Sequence, residues 1–370
     1  MAENRIIYIY NKSLIQESNR LPGVPNRASM VQDLINSYNL LLDDRFLVVK
    51  SAEATENELK AFHSRAYIDY LKSVENPTED PKEDPAYFGL TDDCPLLPNS
   101  VVLVKTIAGG SISAAKLLVA KKSNIAINWF GGWHHAQRDC AEGFCYVNDV
   151  VLAIQMLRKS FEKILYVDLD IHHGNGVQNA FEYSNKILTL SFHHKSPGFY
   201  PGTGGLDEIG SGEGRYYTIN VPFYEGIGHE NYIRVFKEVF NCVSTSFPAN
   251  AIVVQCGADG LNGDPIGHCN LTLETYSECV REILKCNVPK LFLGGGGYNF
   301  ANTSRLWTYL SAVIANIHLD NDIPDESEYF PEYGPSYEVE ITQGLQKDMN
   351  SKSYLETIMN TIKSYCSHIK

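Results

Sequence analysis

The chain predicts an α/β fold: a single domain on a central, mostly parallel eight-stranded sheet with helices on both faces. Three observations carry this expectation. Short runs rich in Ile, Val and Leu recur along all 370 residues, and several are too continuously apolar for strands with one face in water. Helical patterns separate most of them, as the crossovers of a parallel sheet require. No repeat, composition shift or low-complexity linker divides the sequence, so residues 1–370 read as one domain.

From the N-terminus, the strand candidates are 6–10 (IIYIY), 46–49 (FLVV), 125–129 (IAINW), 164–168 (ILYVD), 187–191 (ILTLS), 216–221 (YYTINV), 251–255 (AIVVQ) and 291–293 (LFL). Helical patterns occupy 28–41, 111–121, 149–161, 230–247, 273–285 and 302–317. Thr55 and Glu58 have the spacing of a capping box before a short helix. Leu355, Ile358, Met359, Ile362 and Tyr365 share one face of a last helix. The stretch 76–85, NPTEDPKEDP, is expected to be a mobile surface loop, since its prolines and charges cannot pack.

Composition narrows the function classes. Hydrophobic content of 44% with 20% charged residues suits a chain that buries a sizeable core. A net charge of −13 disfavours direct nucleic-acid binding and is compatible with steering a basic peptide. Residues 1–15 lack the basic and apolar regions of a secretory signal, and no apolar run is expected to cross a membrane. Nine cysteines without a C-x-x-C pair suggest reduced thiols in the nucleus or cytoplasm.

Ligands of parallel sheets gather beyond the carboxyl ends of strands. There the 164–168 strand runs on as Leu169-Asp170-Ile171-His172-His173-Gly174. Alternation in extended chain points Asp168, Asp170 and His172 one way, so three metal-competent groups are expected to converge. Capping carboxylates at a polar strand end are the plainer explanation. Trp129-Phe-Gly-Gly-Trp-His134-His135 follows another strand, and adjacent histidines behind a Gly-Gly turn exceed what a core needs. Gln255-Cys-Gly-Ala-Asp259 ends a buried strand in one carboxylate, which alone would be read as structural. In Leu293-Gly-Gly-Gly-Gly-Tyr298 the glycines let backbone approach a site and present one phenol to it. These glycines fit neither phosphate-binding loop pattern.

Together these stretches resemble the histone deacetylase family of the arginase–deacetylase fold, nearest its class I members. The likeness runs from about Ile6 to Ile341 and rests on GGWHHA (131–136), GFCYVND (143–149), YVDLDIHHGNGV (166–177), SPGFYPGTG (196–204) and GGGGYN (294–299). It implies hydrolysis of the acetyl amide of N6-acetyl-lysine in histones or other proteins, and a role in chromatin and transcription regulation. Asp170, His172 and Asp259 would hold zinc, or another divalent transition metal, with one position left for water and substrate. His134 and His135 would serve as general base and acid, and Tyr298 would stabilise the oxyanion. Asp168 would face one histidine and Asn175 the other, where class I members usually carry Asp. The resemblance further implies a tunnel lined by Gly143, Phe144 and Tyr200, with Ile266 at its mouth and Asp93 accepting substrate N–H groups at the rim. Tyr200 stands where Phe is usual. Arg27, Gly131, Gly132 and Trp133 match a cavity for acetate release. Potassium or sodium would bind one site at Asp168, Asp170, His172, Ser191 and Phe192, and a second at Phe181, Ser184, Ile187 and Tyr217. Hydroxamate-type, zinc-chelating inhibitors would be expected to bind.

Three alternatives stand beside this reading. A binuclear manganese ureohydrolase of the same fold would need a further ligand where Gly174 stands. An acetylpolyamine deacetylase would need an acidic gatekeeper where Ile266 stands. A silent scaffold binding acetylated tails would not need every mechanistic residue, including Tyr298, to be present.

Overall fold

The computed structural model describes residues 5–74 and 83–370. Eight strands form: β1 (Ile6–Ile9), β2 (Phe46–Val49), β3 (Ile125–Asn128), β4 (Ile164–Asp168), β5 (Ile187–His194), β6 (Thr218–Phe223), β7 (Ala251–Gln255) and β8 (Lys290–Leu293). They join one sheet in the order β2-β1-β3-β8-β7-β4-β5-β6. Every strand pairing within this sheet is parallel, so the sheet is wholly rather than mostly so. The inner strands β4, β5, β7 and β8 are buried at every position, which is why their sequences are nearly unbroken apolar runs.

The connecting helices are α1 (Lys12–Ser18), α2 (Arg27–Ser37), α3 (Glu56–Leu59), α4 (Arg65–Ser73), α5 (Ser100–Val119), α6 (Asp149–Leu157), α7 (Asn175–Phe181), α8 (His229–Ser246), α9 (Leu273–Leu284), α10 (Phe300–Ala315) and α11 (Lys352–Cys366). The capping box of α3 is made from both sides: Glu58 N–H donates to Thr55 Oγ1 at 3.3 Å, and Thr55 N–H to Glu58 Oε2 at 2.9 Å.

Several expected boundaries were displaced, and two of the shifts have an evident local reason. The 28–41 pattern stops as helix at Ser37, because Asn39 takes the left-handed conformation (φ 54°) before a separate 3₁₀ turn. The helix expected from Ser111 begins instead at Ser100, reading through Gly109 and Gly110. A Cβ on Gly109 would lie 2.1 Å from the Ala52 carbonyl oxygen, so glycine lets α5 press on the segment after β2. That close packing outweighs a propensity penalty of about 1 kcal/mol per glycine.

The expectation that no apolar run could span a membrane is corrected by the same helix. Ser100–Val119 has the necessary length and composition, yet 67% of an apolar 18-residue stretch within it is buried inside the fold, as a core helix would be. Residues 76–82 of the expected mobile loop lie outside the described residues. The last three begin ordered structure, with Asp84 accepting from Ala86 N–H at 2.9 Å to cap a 3₁₀ turn at Pro85–Phe88.

Helix α11 packs on α8, and its Leu355, Ile358, Met359 and Ile362 are all buried. Ile358→Ala should therefore lower the unfolding free energy by about 2–5 kcal/mol through lost contacts and a residual cavity. Urea denaturation would measure this, and an unchanged midpoint would mean that α11 is not part of the cooperative core.

Candidate metal centre and histidine pair

The carboxyl ends of β3, β4, β7 and β8 are neighbours in the sheet and bring four separate sequence stretches to one place. Beyond β4 the chain stays extended: Leu169 N–H donates to Gln255 O at 2.9 Å and His194 N–H to Ile171 O at 2.8 Å. Leu169 and Ile171 fill the core while Asp170 and His172 face the site. Asp259, past the end of β7, accepts from Ile171 N–H through Oδ1 at 3.0 Å. One ligand atom each from Asp170, His172 and Asp259 lies within 4.8 Å of the others, and all three residues are buried.

Asp168 does not join this cluster as strand alternation alone suggested. Its Oδ2 is taken by His134 Nδ1 at 2.8 Å and by the Tyr166 hydroxyl at 2.7 Å.

Two glycines leave the space that the carboxylates occupy. A Cβ on Gly257 would lie 2.1 Å from Asp170 Oδ2, and one on Gly296 would lie 2.1 Å from Asp259 Oδ2. Gly296 N–H and Gln255 Nε2 both donate to Asp170 Oδ2, at 2.9 and 2.7 Å. The glycine run after β8 thus brings backbone against the cluster.

Charge balance argues for a cation here. Burial and the neighbouring Asp170 raise the Asp259 carboxyl to about 7. Burial would lower the His172 imidazole, but Asp170 and Asp259 outweigh it and raise it to about 10. Its Nδ1 lies 2.9 Å from Asp259 Oδ2 and 3.3 Å from Asp170 Oδ1, so a positive charge is called for between two buried carboxylates. Two carboxylates and one imidazole form a donor set that suits zinc, with room for an exchangeable ligand. The residues fit a divalent metal.

The tandem histidines follow β3 on a loop fastened by Asp149, the first residue of α6. Its carboxylate accepts from Gly132 N–H at 3.0 Å and Trp133 N–H at 2.8 Å, and also from the Ser111 hydroxyl. Gly132 needs its left-handed φ of 99° to make this turn. His134 Nε2 and His135 Nε2 then lie 3.0 Å apart.

Their protonation follows from the partners. Asn175 donates through Nδ2 to Glu142 Oε1 at 2.6 Å, so its amide oxygen must face His135 Nδ1, 2.8 Å away. His135 therefore carries its proton on Nδ1 and presents a lone pair at Nε2. His134 donates from Nδ1 to Asp168, leaving one proton to sit between the two Nε2 atoms. Burial opposes charge on both rings, but Asp168 and Asp170 lift His134 to about 9. His135 is held well below the ordinary histidine value by burial and by His134. The pair thus combines a proton holder with a neutral ring.

A cavity of about 330 Å³ leads to these groups. Asp93, Gly143, Phe144, Tyr200 and Ile266 line it, together with His135, His172 and Tyr298. Gly143 and Phe144 both take left-handed backbone, at φ 53° and 65°. Burial and the nearby Asp259 and Asp170 hold the Tyr298 phenol well above its ordinary pKa, so it keeps its proton for donation. A hollow of about 520 Å³ beside α9 and α10 is larger but gathers no histidine or cysteine.

Arg27 is buried between Trp307 and Trp133, 4.8 and 5.6 Å from their ring centres, and donates to Gly297 O and Gly295 O. Arg27 and Trp133 border a void of only about 10 Å³, which holds about one water, while Gly131 and Gly132 pack on other groups. Of the residues expected to bind monovalent cations, Asp168 and Ser191 are register partners across β4 and β5, and Phe192 follows on β5. In the second set, Ser184 N–H donates to Phe181 O at 2.8 Å, its hydroxyl accepts from Ile187 N–H at 3.3 Å, and Tyr217 O accepts from Thr189 N–H at 3.0 Å.

Several positioning residues went unread in the sequence. Asp264 accepts from Tyr298 N–H at 2.7 Å and Ile266 N–H at 3.0 Å, and so holds the phenol's backbone and the tunnel mouth together. Phe199 stacks on His172 with centroids 5.0 Å apart. Asp149, Gln255, Tyr166 and Glu142 complete the set. Asp149 stood at the start of a helix, and Phe199, Tyr166 and Gln255 lay inside stretches already singled out without being given a role; Asp264 and Glu142 had no signal beyond proximity in the fold.

Residues 21–314 match the model of the histone deacetylase domain. The chain is 42% identical over 364 residues to histone deacetylase 8 of Danio rerio, covering 98% of this chain and 96% of that one. It is also 42% identical to histone deacetylase 8 of Xenopus tropicalis, covering 98% of each. Human histone deacetylase 1 is 39% identical over 339 residues, which cover 91% of this chain and 69% of the relative.

Gly296→Ala should displace Asp259 and weaken metal retention. Metal content after dialysis would show this, and full retention in a folded variant would remove the steric constraint assigned to Gly296.

Proposed function

Because the chain belongs to the histone deacetylase family, we propose that it hydrolyses the acetyl amide of N6-acetyl-lysine side chains at the Asp170–His172–Asp259 centre. The observation that carries this reading is the meeting of that cluster, the histidine pair with its Nε2 atoms 3.0 Å apart and the Tyr298 phenol around one cavity. Asp170, His172 and Asp259 would hold zinc, or another divalent transition metal. When bound, the ion would supply Lewis-acid polarisation of the acetyl carbonyl and acidify an attacking water.

The rest of the chemistry belongs to side chains. The acetyl-lysine stem, slender and apolar, would lie between Phe144 and Tyr200 past Ile266, with Asp93 accepting N–H groups of the peptide at the rim. His135, with its lone pair at Nε2, is the ring able to take a proton from water. His134, charged and tied to Asp168, is the ring able to protonate the departing amine. Tyr298, kept protonated, donates to the oxyanion as it develops, and Arg27 adds positive charge behind the glycine loop.

The apolar Ile266 at the tunnel mouth favours a lysine side chain over a polyamine, whose second amine would want a carboxylate there. A lysine-rich histone tail suits the net charge of −13. On this reading the protein acts in the nucleus or cytoplasm, in chromatin and transcription regulation. Potassium or sodium at the Ser191–Phe192 and Phe181–Tyr217 sets would stiffen the loops behind the centre, and hydroxamates would chelate the metal.

The metal-loaded enzyme should release acetate from an acetyl-lysine peptide and much less from acetylspermidine. Tyr298→Phe should cost about 10²–10³ in kcat with little change in KM. Near-normal turnover in that variant, or preference for the polyamine, would overturn the reading.

A pH dependence follows from Asp168. This carboxylate helps raise His134 to about 9, so Asp168→Asn should let the ring lose its proton at lower pH. If the charged ring is required, the alkaline limb of kcat/KM moves to lower pH in the variant. A limb that stays in place would remove His134 as the proton holder.

A further inference from the structure

Glu142 binds both neighbours of His135. Its Oε1 accepts from Asn175 Nδ2 at 2.6 Å and from the Tyr200 hydroxyl at 3.0 Å. Its Oε2 accepts from Gln137 Nε2 at 2.8 Å, and the same nitrogen donates to the His135 carbonyl at 3.1 Å. Asn175 Oδ1 lies 2.8 Å from His135 Nδ1, and the Tyr200 ring meets the His135 ring edge-on with centroids 5.0 Å apart. Glu142 itself is only half-buried and does not line the tunnel.

An asparagine beside a catalytic imidazole is ambiguous by itself, because its amide can present either oxygen or nitrogen. A carboxylate only accepts, so Glu142 admits one orientation of Asn175: nitrogen toward the acid, oxygen toward the ring. That orientation obliges His135 to carry its proton on Nδ1 and leaves the Nε2 lone pair facing His134. The negative charge also polarises the amide, making its oxygen a better acceptor than a free amide.

We propose that Glu142 is a positioning residue of the deacetylase site: through Asn175 it selects the tautomer of His135 and strengthens its Nδ1–H bond, and through Tyr200 it fixes the tunnel wall against the same ring. The negative charge absent from position 175 is thereby supplied one side chain further out. This inference rests on the deacetylase reading and deepens it.

The test is a charge relocation in the metal-loaded enzyme. Glu142→Gln should lower kcat by about 10-fold, the usual scale for losing an outer partner of a site histidine. Its KM should change less than kcat, because a glutamine oxygen can still accept from the Tyr200 hydroxyl and keep the tunnel wall in place. Asn175→Asp alone sets two carboxylates face to face and should also lose activity. Combined with Glu142→Gln it restores one carboxylate and one amide in exchanged places, and should recover most of kcat. A Glu142→Gln variant as fast as wild type, or a double variant as slow as the two losses multiplied, would overturn the proposal. Low-field proton NMR supplies a readout independent of turnover. The His135 Nδ1–H resonance, assigned by its loss in Asn175→Ala, should move upfield in Glu142→Gln, and an unmoved resonance counts against the proposal. If the resonance moves in Glu142→Gln but the wild-type enzyme lacks deacetylase activity, the functional reading fails and the positioning role stands.

Discussion

Three aspartates buried at the carboxyl edge of one sheet set the constraint on which the rest of this structure depends. An ion withdrawn from water loses several kcal/mol of solvation unless charge and hydrogen bonds replace it. Asp168 is compensated by His134 and Tyr166, and Asp170 by Gln255 and the Gly296 N–H. Asp259, left with His172 and the Ile171 N–H, is the least compensated of them, and its raised pKa records this. Buried Arg27 lies behind the same group, tied to the glycine loop through two carbonyls. A divalent cation among the ligands would answer the remaining imbalance, so the stability of the site and its proposed chemistry would share one electrostatic origin.

The same principle makes two adjacent histidines unlike each other. His134 faces a carboxylate directly and holds its charge; His135 faces an amide and stays neutral. Because the Nε2 atoms are 3.0 Å apart, charge on one ring disfavours charge on the other. Which ring holds a proton and which offers a lone pair is thus set by environment rather than residue type. The Glu142–Asn175 pair extends that assignment outward and ties it to the tunnel wall through Tyr200.

Much of this was legible before folding. The strands were readable because burial on both faces leaves an unbroken apolar signature, and the eight candidates fell within a few residues of those observed. Asp170 and His172 were readable because they continue a strand, where period-two alternation fixes their side. The same alternation misled at Asp168, because a strand end says which way a side chain points but not which neighbour reaches it first. The break at Asn39 and the early start of α5 escaped because local propensity cannot see a left-handed residue or a glycine pressed on Ala52. Asp264 and Glu142 escaped because nothing near them in sequence hints at a partner.

The sequence by itself determined the α/β class, the strand set, the family and the list of chemically competent side chains. These depend on patterns carried within a few residues or on long ordered motifs. Only the tertiary structure decided which of those groups share a proton, which compensate a buried charge, and that Glu142 reaches His135 through Asn175. Such relations join residues 33 and 40 positions apart in the chain, and their strength lies in distances and burial that no linear spacing encodes.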